Sequence, residues 1–124
     1  MSDHLSDAEL LSRADAIAER AYARYSNFPV GCAVLLRDGT VVEGVNVESG
    51  AYPLGICAEK NGIGTAITQG YGAGEFVAIA VNASPCGGCR QWLDELGFDR
   101  VIFRNRGQVV TMTPAELLPE SFEL

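Results

Sequence analysis

Apolar residues in the first quarter of the chain recur at helical spacing. Leu10, Leu11, Ala14, Ile17, Ala18, Ala21 and Tyr22 make one stripe. Ser6 precedes it as an N-cap, and Glu9, three residues on, completes a capping box. The spacing predicts a helix to about Tyr25, broken by Ser26-Asn27-Phe28-Pro29. Val30 to Leu36 and Val41 to Val47 are rich in β-branched residues, and the Asp38-Gly39 turn between them predicts a hairpin. Residues 49–55 read as a loop. Cys57 to about Gln69 predicts a helix that contains Gly62 and Gly64. Each glycine costs about 1 kcal/mol against Ala, and both are expected to mark the close approach of another helix.

Phe76 to Val81 is a continuous apolar run, as in a central strand. Pro85 leads into a helix from about Cys86 to Leu96. Arg100 to Phe103 and Gln108 to Thr111 read as short strands. Thr113-Pro114-Ala115-Glu116 is a second capping box that opens a short final helix. The order α-β-β-α-β-α-β-β-α predicts an α/β fold of three α-β-α layers, with a mixed five-stranded sheet covered by helices on both faces. At 124 residues, with no linker or repeat, residues 1–124 are expected to form a single domain.

Composition narrows the function. No apolar run approaches the roughly 20 residues of a membrane span. The acidic start has no basic-then-apolar signal region, so a cytoplasmic location is expected. Nine basic residues against sixteen acidic give a net charge of −7. Without a Lys/Arg block, binding to a nucleic-acid polymer is disfavoured, whereas a small neutral substrate suits the charge. The four cysteines, Cys32, Cys57, Cys86 and Cys89, are expected to be thiols rather than disulfides.

Cys86 and Cys89 have the short spacing of zinc ligands, which a thioredoxin-like redox pair shares. Cys57 also lies where a loop enters a helix. A helix N-terminus favours the thiolate that a metal needs. Three thiolates would leave a fourth tetrahedral position open, as in a catalytic zinc site. Glu59, two residues after Cys57, is placed to carry a proton. Cys32 alternates with Val30 and Val34 in a strand and reads as a core thiol.

Cys57-Ala58-Glu59, followed by Pro85-Cys86-Gly87-Gly88-Cys89, resembles the three-cysteine form of the zinc deaminase signature. The resemblance extends to the small homotetrameric cytidine deaminases. Tyr25-Ser26-Asn27-Phe28-Pro29-Val30-Gly31 is similar to that family's Y-S-x-F-x-V-G stretch, and Asn46-Val47-Glu48 to its N-x-E motif. Ala51-Tyr52, Cys89-Arg90-Gln91 and Glu116-Leu117-Leu118-Pro119 with Phe122 continue the pattern in order.

The resemblance implies hydrolytic deamination of cytidine or deoxycytidine in pyrimidine salvage, with one Zn²⁺ per subunit on Cys57, Cys86 and Cys89. It makes Glu59 the catalytic proton carrier. It assigns the Ala58 N–H to the pyrimidine carbonyl, and Asn46 and Glu48 to the sugar hydroxyls. Phe28 and, from a neighbouring subunit, Phe122 would pack on the base, and Tyr52 would reach into a neighbour's site. Lys60 stands where the family usually has Arg, and would supply charge beside the thiolates without the planar fork. Two alternatives stay open. One is a deaminase of another aminopyrimidine nucleoside, such as a blasticidin-type antibiotic. The other is a non-catalytic module built on a closed four-cysteine zinc site.

Overall fold

The structure is a computed structural model that describes residues 4–51 and 54–121. Its elements are α1 (Asp7–Ile17), β1 (Gly31–Leu36), β2 (Val41–Val45), α2 (Ala58–Thr68), β3 (Phe76–Val81), α3 (Gly87–Leu96), β4 (Arg100–Asn105), β5 (Gln108–Met112) and α4 (Pro114–Leu117). The sheet order is β2-β1-β3-β4-β5. Only the β3–β4 pair is parallel. The mixed five-stranded sheet is as the element order predicts.

The side chains of β1 alternate between two cores. Ala33 and Leu35 pack with Leu10, Leu11 and Ala14 of α1 on one face. Cys32, Val34 and Leu36 pack on the other with Ala58, Ile63 and Ala66 of α2, Leu93 of α3 and Leu117 of α4. This makes the three layers.

Both capping boxes form. Ser6 Oγ accepts from the Glu9 N–H while Glu9 accepts from the Ser6 N–H, and Thr113 and Glu116 repeat the arrangement. The first helix, however, stops short of Tyr25. It ends at Ile17, followed by a single 3₁₀ turn at Ala18–Arg20. The reason is tertiary. The Tyr22 N–H donates to the Asn46 carbonyl (3.0 Å) and the Tyr22 carbonyl accepts from the Glu48 N–H (2.9 Å). The backbone of Tyr22 thus bridges to the segment after β2 instead of continuing the helix.

The glycine expectation is corrected at Gly62. Gly62 meets the sheet, not another helix. A Cβ there would lie 2.8 Å from Cys32 Sγ and 3.4 Å from Val34 Cγ2, and Gly44 of β2 presses on the Gly62 backbone from the adjoining strand. A Cβ on Gly64 would meet nothing within 4 Å. Gly62→Leu is therefore expected to destabilise the fold by about 3 kcal/mol or more through overpacking. Gly64→Leu should leave the chain's own fold near wild type, and urea unfolding midpoints check both.

The topology sets the location of the site. β2 and β3 each run antiparallel to β1, so they point the same way. The loops leaving them open at one end of the sheet, and each feeds the N-terminus of a helix, α2 or α3. The chain enters β1 at the same end.

Candidate active site

Three cysteines stand at the two helix starts. Cys57 is the N-cap of α2, Cys86 the N-cap of α3, and Cys89 lies in the first turn of α3. Cys57 Sγ lies 3.6 Å from Cys86 Sγ. Cys86 Sγ lies 3.4 Å from Cys89 Sγ. All three sulfurs fall within 4.8 Å of one another, and among the described residues they form the one candidate metal-holding group. A tetrahedral zinc with bonds of about 2.3 Å places its sulfurs about 3.8 Å apart, so the observed triangle fits that ion.

The charge balance fits too. Burial, and then the neighbouring Cys86, push the Cys57 thiol up. Burial, and then the Glu59 carboxylate, push Cys89 up strongly. For Cys86 burial works the same way, but hydrogen bonds from the Cys89 backbone and from the Cys89 and Cys57 thiols outweigh it and hold its pKa below the usual value. Three thiols and a carboxylate crowded together call for a cation, and a divalent ion makes the thiolates stable.

Cys32 stands apart from this group. It is fully buried, and its thiol donates to the Ala58 carbonyl (3.2 Å). The closed four-cysteine alternative does not match this arrangement. Cys32→Ser is expected to leave the zinc content of the purified chain unchanged, as metal analysis would show.

Glu59 is the one buried charged residue among those described, at 4 % exposure. Burial raises its carboxyl above the usual range, and the Lys60 charge opposes that rise. Lys60 Nζ sits 6.0 Å from the centre of the Trp92 ring, across from α3. Ala58 is the first residue of α2, and N–H groups of a first helical turn have no partner within the helix.

Cys57, Cys86, Ala58 and Glu59 line a cavity of about 300 Å³, whereas Lys60 is not among its lining residues; the volume is at the lower end of the range of small-molecule sites. Phe28, Asn46 and Glu48 line it as well. The structure thus brings together seven of the residues that the sequence singled out. Cys89 is buried and completes the thiol triangle without lining the cavity. Tyr52 and Phe122 lie outside the described residues.

Sequence reasoning missed Val30, Val47, Gly55, Ile56, Ala83 and Ser84, which also line the cavity. Val30 and Val47 stood inside the quoted motifs without being singled out, and the other four had only adjacency to the thiol motifs as a signal.

Asn46 and Glu48 do more than line the cavity. Asn46 Oδ1 accepts from the Val30 N–H (2.9 Å) and its Nδ2 donates to the Phe28 carbonyl (3.0 Å). Glu48 accepts from the Tyr25 N–H (2.9 Å), the Ser26 N–H (3.0 Å) and the Ser26 hydroxyl. These bonds, those of Ser26 first, hold its carboxyl below the usual range. The loop that carries Phe28 is therefore fastened to the strand end beneath it. Asn27 takes a left-handed φ of 57° within that loop, a conformation Asn tolerates better than most residues. Phe28 itself stands 60 % exposed at the mouth.

Comparison with known proteins agrees with this geometry. Residues 5–105 match the family model described as the cytidine and deoxycytidylate deaminase zinc-binding region. The chain is 40% identical over 124 residues to a cytidine deaminase of Halalkalibacterium halodurans, with 91% of each chain covered. It is 36% identical over 121 residues to one of Sporosarcina psychrophila, covering 92% of this chain and 89% of that protein. The crystal structure of a cytidine deaminase from Burkholderia pseudomallei superposes with a TM-score of 0.88 at 41% identity, covering 95% of this chain and all of that one. With its three-layer fold, a thiol triangle at two helix starts and a buried carboxylate beside it, the chain belongs to the cytidine and deoxycytidylate deaminase family.

Proposed function

We propose that this protein hydrolyses cytidine or deoxycytidine to uridine or deoxyuridine, releasing ammonia, with one zinc per subunit. One observation carries the reading. The buried Glu59 carboxylate and the helix-start thiols of Cys57 and Cys86 line one cavity whose size and lining suit a neutral nucleoside.

Cys57, Cys86 and Cys89 would hold the zinc, which when bound supplies Lewis acidity that makes water nucleophilic near neutral pH. Water adds its oxygen to ring C4, and the C4–N bond to the amino group breaks. Glu59 takes the first water proton to ring N3, then the second from the new C4 hydroxyl to the leaving amine, so that a C4 carbonyl forms as ammonia departs. Burial suits it to this, because raising the carboxyl pKa makes the carboxylate a stronger base towards the water proton. The Ala58 N–H, at the positive end of α2, orients the pyrimidine carbonyl. Lys60 offsets the negative charge of the thiolates.

Phe28 packs on the base. Asn46 and Glu48 take the sugar hydroxyls with the hydrogen-bonding capacity their loop contacts leave over. Tyr25 and Ser26 occupy three acceptor positions of Glu48, and an ionised carboxylate offers about four.

Tyr52 and Phe122 would complete the sites of neighbouring subunits in a homotetramer. The exposed apolar side chains Tyr22, Tyr25, Phe28, Val47, Leu54 and Ile56 support such burial. A single domain over residues 1–124, a cytoplasmic location and a place in pyrimidine salvage belong to the same proposal. No helix among the described residues is long and apolar enough to cross a membrane. The net charge of −7 argues against a nucleic-acid polymer as substrate.

The test is an ultraviolet assay of the zinc-loaded chain on cytidine, deoxycytidine and a blasticidin-type nucleoside. Turnover of the first two is expected. Turnover of the third alone would replace this substrate reading with that of an antibiotic deaminase.

A further inference from the structure

Arg90 directly follows the ligand Cys89 in the first turn of α3. A cation is poorly placed there, because the N-terminal end of a helix dipole is positive. The side chain turns to three acceptors. Its Nε donates to the Pro85 carbonyl (3.0 Å), its Nη1 to the Leu117 carbonyl (3.0 Å) and its Nη2 to Ser84 Oγ (3.3 Å).

Each acceptor has a distinct position. Pro85 is buried and immediately precedes the ligand Cys86. Ser84 lines the cavity. Leu117 is the last residue of α4, where helix carbonyls lack partners within the helix. Four residues along α3, on the same face, Asp94 Oδ2 accepts from the Ser121 hydroxyl (2.7 Å). The segment after α4 thus runs along α3, fastened at two points.

We propose that Arg90 is a positioning residue for the metal site: one guanidinium fork ties the Cys86 ligand loop and the Ser84 wall of the cavity to the C-terminal helix. It acts on the site through Pro85 and Ser84 and touches neither metal nor substrate. The planar fork serves all three acceptors at once, which the single ammonium of Lys cannot do from the same geometry. The C-terminal segment and the zinc loop are therefore held as one unit. This inference rests on the zinc reading above.

The test uses the zinc-loaded full chain with Arg90→Lys and Arg90→Ala. Zinc loss to a chromogenic chelator is timed, and folding is followed by circular dichroism. Removing supports of metal ligands typically costs 10–100-fold in metal affinity, so Arg90→Lys is expected to lose zinc about tenfold faster while it stays folded. Hydrogen exchange should quicken at residues 84–89 and 117–121 together. Zinc loss within about twofold of wild type, even with a lower melting temperature, would overturn the proposal and leave Arg90 as a cap of α4. Should Arg90→Ala not fold, Arg90→Lys decides. A wild-type chain that takes up no zinc would overturn the zinc reading and this inference together. One that holds zinc beside unaffected variants overturns this inference alone.

Discussion

Glu59→Gln is expected to keep one zinc per chain and to lower kcat by about 10²- to 10⁴-fold, the usual range for a positioned proton carrier. The substitution keeps the shape and the first-turn position in α2, and removes only the capacity to accept and return a proton. Glu59 is buried, so its charged form already costs desolvation. Neutral Gln relieves that cost, and thermal stability should hold or rise. Three measurements on one preparation check this account: metal content, a melting curve and steady-state kinetics. A kcat within tenfold of wild type would remove Glu59 from the chemistry.

Cys86→Ala is expected to have the larger effect. It removes one of three sulfurs, and zinc content should fall towards zero after dialysis, with turnover lost by more than the proton carrier's roughly 10⁴-fold. The fold should persist. Cys86 is exposed, and the cores on both faces of the sheet contain β1 and β3 residues with no solvent exposure. This chain therefore differs from a zinc finger, in which metal binding is itself the folding energy. Circular dichroism of the zinc-free variant separates the two cases. A wild-type far-ultraviolet spectrum is the expected result, and a collapsed one would make the zinc structural.

Features carried by local chemistry were legible in the sequence. Ser6 with Glu9, and Thr113 with Glu116, cap helices because their partners lie three residues away. The two thiol motifs were legible for the same reason, since both ligands of α3 sit in one turn. What escaped was set by distant backbone. Tyr22 continues the apolar stripe in sequence, yet its N–H and carbonyl bond to Asn46 and Glu48, more than twenty residues on. Gly62 did mark a close approach, but its spacing cannot say whether the neighbour is a helix or the Cys32 strand. The resemblance identified Asn46 and Glu48 as site residues. Their grip on Val30, Phe28, Tyr25 and Ser26 needed the fold. Arg90 was visible only as part of a motif, because two of its acceptors flank the ligand loop and the third ends another helix.

The central claim is that three thiols and one carboxylate make a zinc-dependent deaminase site. Its most direct test is a zinc titration of the metal-stripped chain with cytidine present, following the ultraviolet change as uridine forms. The account predicts no turnover without metal, and activity that rises linearly and levels off at one zinc per chain. Full turnover in the stripped chain, or a chain saturated with zinc that leaves cytosine nucleosides unchanged, would contradict it.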